Sequence, residues 1–140
     1  MEEYDILIKI VDSHEMDGDT DGAEITTVGK LCGNENDYTI NYKESGELEG
    51  CEVSLNVRDK DTVTMTRKGV AYQTQLIMQK GKRHNCHYMT PAGELMIGVF
   101  ASEVNSDVDI DGGELSFRYT LDFNAGLVSE NELKITVSRL

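Results

Sequence analysis

Four groups of residues in this chain have types and spacings suited to chemistry. Asp17-Gly18-Asp19-Thr20-Asp21-Gly22 spells D-x-D-x-D-G, and Asp107-Val108-Asp109-Ile110-Asp111-Gly112 spells it again. Such a run opens a calcium loop, whose twelfth position must supply a closing bidentate carboxylate and whose flanks must be helices. Counting from the first aspartate, the twelfth residue is Val28 in one run and Arg118 in the other. Both runs therefore read as acidic, glycine-ended turns, and weak gathering of a cation by Asp17, Asp19, Asp21 and Glu24 is the residual alternative. The third group, Arg83-His84-Asn85-Cys86-His87-Tyr88, holds two imidazoles and a thiol, all zinc ligands by type. On a strand, His84, Cys86 and Tyr88 face one way and His87 the other, so two ligands at most converge locally. A hydrolase or metal site around His84, Cys86 and His87 is accordingly a minor reading; the chain spells no G-x-S-x-G elbow and no glycine-rich phosphate loop.

The fourth group is Arg67 with Tyr88 and Tyr119. Arg67 shares parity with Val63 and Met65, so its guanidinium points to the apolar side if the alternation persists. A guanidinium placed there needs a partner, either an internal carboxylate or an anionic head group of a ligand. Tyr88 and Tyr119 carry hydroxyls on apolar bodies and suit the same depth. The competing expectations are that Arg67 snorkels into water from a strand end near Gly69, and that both tyrosines are plain core residues.

The elements that position these groups are strands. In Ser116 to Phe123 the large residues Phe117, Tyr119, Leu121 and Phe123 share one parity and Ser116, Arg118, Thr120 and Asp122 the other. Side chains alternate across a pleated strand, so this is a half-buried strand. The pattern recurs in Leu133, Ile135 and Val137, in Cys51, Val53, Leu55 and Val57, in Val63 and Met65, and in Leu95, Ile97 and Val99. Ser129-Glu130-Asn131-Glu132 fits a helix capping box, but the period of two that follows it argues for a strand. Short turn signals lie between these segments, at Asn34-Glu35-Asn36-Asp37, Arg58-Asp59-Lys60-Asp61, Lys80-Gly81-Lys82-Arg83, Asp111-Gly112-Gly113 and Asn124-Ala125-Gly126. Connections this short join antiparallel neighbours. The expectation is an all-β fold, a single closed antiparallel up-and-down β-barrel of about 8–10 strands over residues 1–140, because a long meander that does not close leaves an unpaired edge. A sandwich is the alternative.

With 39% hydrophobic and 28% charged residues, the composition is that of a soluble globular domain. A net charge of −13 repels phosphate backbones and anionic lipid, so neither nucleic acid nor membrane is expected as a partner. Met1-Glu2-Glu3-Tyr4-Asp5 puts acidic residues where a secretory signal has basic ones, and the odd set Cys32, Cys51 and Cys86 lacks C-x-x-C spacing. Both point to a cytoplasmic setting.

Between Arg67 and Asn131 the chain resembles a known family. The residues that carry the likeness are Arg67-Lys68-Gly69, Lys80-Gly81-Lys82-Arg83, Tyr88-Met89-Thr90-Pro91-Ala92-Gly93, Gly112-Gly113-Glu114-Leu115, Tyr119-Thr120-Leu121 and Ser129-Glu130-Asn131-Glu132-Leu133. They are similar to the YwiB-like family of small bacterial proteins. With the glycine-containing first strands from Ile6 to Leu31, the similarity covers nearly the whole chain. The resemblance implies a calycin-like, that is lipocalin-like, β-barrel, and it carries over no activity.

The functional expectation is noncatalytic binding of a small amphiphilic or anionic molecule inside the barrel, with Arg67, Tyr88 and Tyr119 at its polar end and no cofactor. The alternative is a protein-interaction module without an internal ligand, working through a strand edge or the barrel mouth; a homodimer is compatible with either.

Overall fold

The computed structural model describes residues 3–16, 18–44, 50–69, 73–90, 93–123 and 126–140. They form ten strands: β1 (Glu3–Met16), β2 (Asp19–Gly33), β3 (Asp37–Lys43), β4 (Glu52–Arg58), β5 (Thr62–Lys68), β6 (Gln73–Gln79), β7 (Arg83–Thr90), β8 (Gly93–Asp109), β9 (Gly112–Phe123) and β10 (Gly126–Arg139). Each pairs antiparallel with its chain neighbours, and β10 returns to pair with β1, so the meander closes into a barrel. The expected barrel is present, and closure excludes the sandwich. Ser129 to Glu132 lie in β10, where the period of two wins over the capping box.

Alternation builds the core. Ile6, Ile8 and Ile10 from β1, Val53, Leu55 and Val57 from β4, Val63 and Met65 from β5, and Leu115, Phe117 and Tyr119 from β9 all point inward and are buried. Thus the walls are apolar on one face only, as a solvated antiparallel sheet requires. Phe117 and Tyr119 stack at a tilt, with centroids 5.8 Å apart.

The strands are unequal. β8, β9, β10, β1 and β2 run for 17, 12, 14, 14 and 15 residues. Of the others, β7 has 8 residues and β3 to β6 have 7 each. The long strands also carry the register shifts, between Ala101 and Glu103 in β8 and between Leu127 and Ser129 in β10. A bulge adds one residue and so exchanges the faces beyond it. Val99 and Ala101 face inward before the shift in β8, and Val104 and Val108 after it.

β2 pairs with β1 from Asp19 to Cys32 but with β3 only from Gly29 to Gly33, so residues 19–28 extend beyond the described strands of the short wall. The crossing point is tight at Gly29, where a Cβ would collide with the Asn41 carbonyl oxygen and the Ile8 side chain. The opposite end, at the β2–β3, β4–β5, β6–β7 and β8–β9 connections, is drawn together by the Tyr38 hydroxyl against Ser106 Oγ at 2.6 Å.

Candidate functional site

Pairing registers trace one row of inward residues round the short wall: Gly29, Tyr42, Val53, Arg67, Thr74, Tyr88 and Leu95 stand opposite one another in succession. Directly opposed residues of an antiparallel pair share a face. Arg67 and Tyr88 therefore face the interior at one level, as their parity predicts, and Tyr42 joins them. From the long wall come two adjacent rows. One runs Phe117, Leu133, Asp12 and Ala23, and the next runs Tyr119, Asn131, His14 and Asp21. These rows approach the end of the barrel that carries the β1–β2, β3–β4, β5–β6, β7–β8 and β9–β10 connections.

Arg67 has an internal partner. Its Nε and Nη2 both donate to Glu44 Oε1, at 2.8 and 2.7 Å. Glu44 follows β3 by one residue, keeps the parity of Tyr38, Ile40 and Tyr42, and is held because its N–H donates to the Cys51 carbonyl at 2.9 Å. The pair is partly dry, with the Glu44 side chain 9% exposed and that of Arg67 27%. Burial works against the Arg67 charge, but the adjoining Glu44 carboxylate outweighs it and holds the pKa above its ordinary value.

The surrounding phenols are held neutral. Burial, with the Glu44 charge adding to it, pushes Tyr42 up to about 12. Tyr119 is raised well above its ordinary value by burial first and by Asp12 second. Asp12 is itself raised, because burial outweighs the attraction of His14 and Arg67. Tyr42 is 9% exposed and Tyr119 7%. Among the described residues, neither these two hydroxyls nor the Asp12 carboxyl has a hydrogen-bond partner. Since no described side-chain polar atom sealed from solvent lacks a partner, these atoms border accessible space. Close by, Asn131 Nδ2 donates to the buried Ser129 Oγ at 2.9 Å.

Arg67, Tyr88 and Tyr119 are thus brought into one neighbourhood. Glu44, Asp12 and Tyr42 were not singled out in the sequence. The signal was present, since a carboxylate at position 12 continues the parity of Ile6, Ile8 and Ile10, and one at position 44 continues that of Ile40 and Tyr42.

The other candidate groups stay apart. His84 Nε2 lies 3.0 Å from Gln79 Oε1 on the inner side, while His87 Nδ1 lies 2.5 Å from Glu94 Oε1 on the outer side. Cys86 is buried, accepts the Ile77 N–H at 3.4 Å, and its pKa is raised by burial, so it rests as a thiol and a poor nucleophile. Among the described residues, no three His, Cys, Asp or Glu side chains converge on a metal-sized space. The run from Asp107 to Gly112 forms the β8–β9 hairpin, where the Asp111 N–H donates to Asp109 Oδ1 at 2.9 Å. The first run joins β1 to β2 and has strands on both sides; Asp17 itself, like Pro91, Ala92, Asn124 and Ala125, lies outside the described residues. No helix of the described residues is long and apolar enough to cross a membrane.

A groove of about 820 Å³ lies on the outer face, lined by residues that include Val28, Lys30, Lys43, Glu52, Lys68 and Leu140. It meets the inward row at Gly29, Tyr42 and Val53, and its Lys30 is already bound to Asp5. This concavity and the convergent polar chemistry are on opposite sides of the wall.

Comparison with known proteins bears on the fold. The structure superposes on a crystal structure of the ywiB protein from Bacillus subtilis with a TM-score of 0.86 and 22% identity, covering 99% of this chain and 93% of that one. No curated protein matches. A family model described as a domain of unknown function, DUF1934, matches residues 8–135. That match spans most of the chain, and the chain belongs to the DUF1934 family.

Proposed function

We propose that this barrel is a noncatalytic binder of a small amphiphilic molecule, whose polar end lies among Arg67, Tyr42, Tyr88 and Tyr119. One observation carries the reading: the hydroxyls of Tyr42 and Tyr119, each on a side chain more than nine-tenths buried, open onto accessible space with no partner among the described residues. A ligand's polar group would meet these hydroxyls directly, each such hydrogen bond contributing about 0.5–1.5 kcal/mol. Ile25, Leu95 and Phe123, on the inward parity and exposed at the same end, supply apolar surface beside it. The Cys86 thiol, held neutral by burial, is a poor nucleophile. Cys32, Cys51 and Cys86 are free, which fits a reducing, cytoplasmic setting.

Native mass spectrometry of gently purified protein, compared with the denatured sample, tests the reading. An extra organic mass that disappears in Tyr119→Phe or Arg67→Ala is the expected result. A bare polypeptide in every preparation, with no thermal shift from any added amphiphile, would overturn it.

The second reading is a protein-interaction module, favoured by the free edge of β2. Among the described residues, no strand pairs with residues 19–28 on the side away from β1. They carry Asp19, Asp21 and Glu24, which suit a basic extended segment added as a further strand. Thr26→Lys would weaken such a complex and leave small-molecule binding unchanged.

A further inference from the structure

The charges at the tyrosine-lined end favour one kind of head group. Arg67 directs two of its nitrogens onto the same oxygen of Glu44, so the cation of the site is matched before any ligand arrives. Of the other two carboxylates in the inward rows, Asp12 is set between Leu133 and Ala23 and is without a hydrogen bond among the described residues. His14, one inward position further along β1, has Asp21 opposite it, with Nε2 to Oδ2 at 4.0 Å, so its charge when protonated is answered locally. Among the described residues, the inward rows at this end therefore hold the carboxylates of Glu44, Asp12 and Asp21 against the Arg67 guanidinium and the His14 ring, with Asp12 left over.

An anionic head group would have to draw Arg67 from Glu44 and would leave two carboxylates unmatched beside it, in a layer too dry to screen them. A cation meets the opposite situation. Asp12 accepts from it directly, the oxygens of Tyr42, Tyr88 and Tyr119 accept as well, and the faces of the phenol rings attract positive charge. The net charge of −13 also raises the local concentration of cations. From this arrangement we propose that the ligand is a cationic amphiphile, an ammonium group on an apolar tail, seated with its nitrogen against Asp12 and its tail toward the mouth, where Ile25 and Leu95 are exposed on the inward parity.

The inference rests on the binding reading above, and one experiment separates the two. Isothermal titration is run with three probes of equal tail length, n-octylammonium, n-octanoate and n-octyl glucoside, on the wild type and Asp12→Asn. The expected result is that octylammonium binds at least about tenfold more tightly than octanoate, and that Asp12→Asn reduces the difference to about twofold. Equal or tighter binding of octanoate overturns the charge assignment and leaves the binding reading standing. Octylammonium binding that is indifferent to Asp12→Asn marks adsorption to the acidic surface and also overturns the assignment. No binding of any probe removes both. Should Asp12→Asn fold poorly, nuclear Overhauser contacts from the probe's N-methylene to the rings of Tyr42 and Tyr119 in the wild type give the same decision, and their absence counts against the proposal.

Discussion

The two walls of the barrel solve the same problem at different lengths. β3 to β7 close their share of the ring with strands of seven or eight residues, which suffice for the inward rows they contribute. β8 to β10, β1 and β2 run about twice as far and bend at two bulges. Where the long wall outlasts the short one, its inner face has no strand of the described residues opposite it. Ile25 lies across from the buried Ile10 yet is 41% exposed. Leu95 and Phe123 keep the inward parity and are exposed at the same end. The polar residues sit where the walls part, so the mouth follows from unequal strand lengths.

The seam between the walls is the most sensitive place to test this. Gly29 is where β2 leaves β3, and Gly29→Ala drives a methyl group into the Asn41 carbonyl and Ile8. A loss of about 3 kcal/mol is expected by chemical denaturation, at the upper end for overpacking. A loss below about 1 kcal/mol would mean that the walls are not locked together there.

Within the short wall, Arg67→Ala strands the Glu44 carboxylate. The expected cost is about 2–3 kcal/mol, less than the roughly 3–5 of a fully buried pair because Arg67 keeps contact with water. The double change Arg67→Met with Glu44→Gln should recover more than half of it. If the single change is silent, the pair is not holding the rim.

One tyrosine from each wall gives a pH test. Tyr42 ionises at about 12 in the folded chain and near 10.0 when unfolded, and Tyr119 shifts in the same direction. The unfolded state releases these protons first, so the stabilisation is complete below pH 10 and is lost as pH rises through the folded values. Ultraviolet absorbance of phenolate against pH should resolve a late-titrating class that shrinks in Tyr42→Phe and in Tyr119→Phe. Loss of that class in only one variant would place the two walls' tyrosines in different surroundings.

The smallest effect is at the far end of the short wall. Asp59 and Lys60 have φ of 53° and 61° in the β4–β5 turn, where the Asp61 N–H donates to the Arg58 carbonyl. A side chain in that conformation costs about 1 kcal/mol, and Lys60→Gly should return about that much in thermal stability. A destabilised variant would show that the Lys60 side chain holds this end together.

The barrel and most of its inner face were legible because period-two alternation is strong in β4, β5, β9 and β10. β8 was legible only as far as Val99, since the bulge after Ala101 moves Val104 and Val108 onto the inner face and breaks the period. Arg67 was found because a charge on an apolar parity is conspicuous. Its partner was not, because Glu44 lies one residue past its strand, and only the pairing of its backbone with Cys51 keeps it facing inward. Asp12 was passed over beside the neighbouring acidic run, which draws attention to calcium. The distance between His84 and His87 followed from parity alone, and their separate partners on opposite faces agree with it.

The pairing of β1 with β10 also governs the order in which the molecule can be made. Ile6 must find Arg139, and Arg139 lies over the Tyr4 ring at 4.2 Å, so the final ladder joins the two extremes of the sequence. During synthesis every other hairpin can zip from local contacts, while β1 waits for the tenth strand with one side unmet. Long-range closure of this kind is slow, and the open intermediate exposes an edge rich in isoleucine to other nascent chains. The ring that leaves the mature barrel few edges is therefore the last thing to form, and the interval before it forms is when the chain is most open to aggregation.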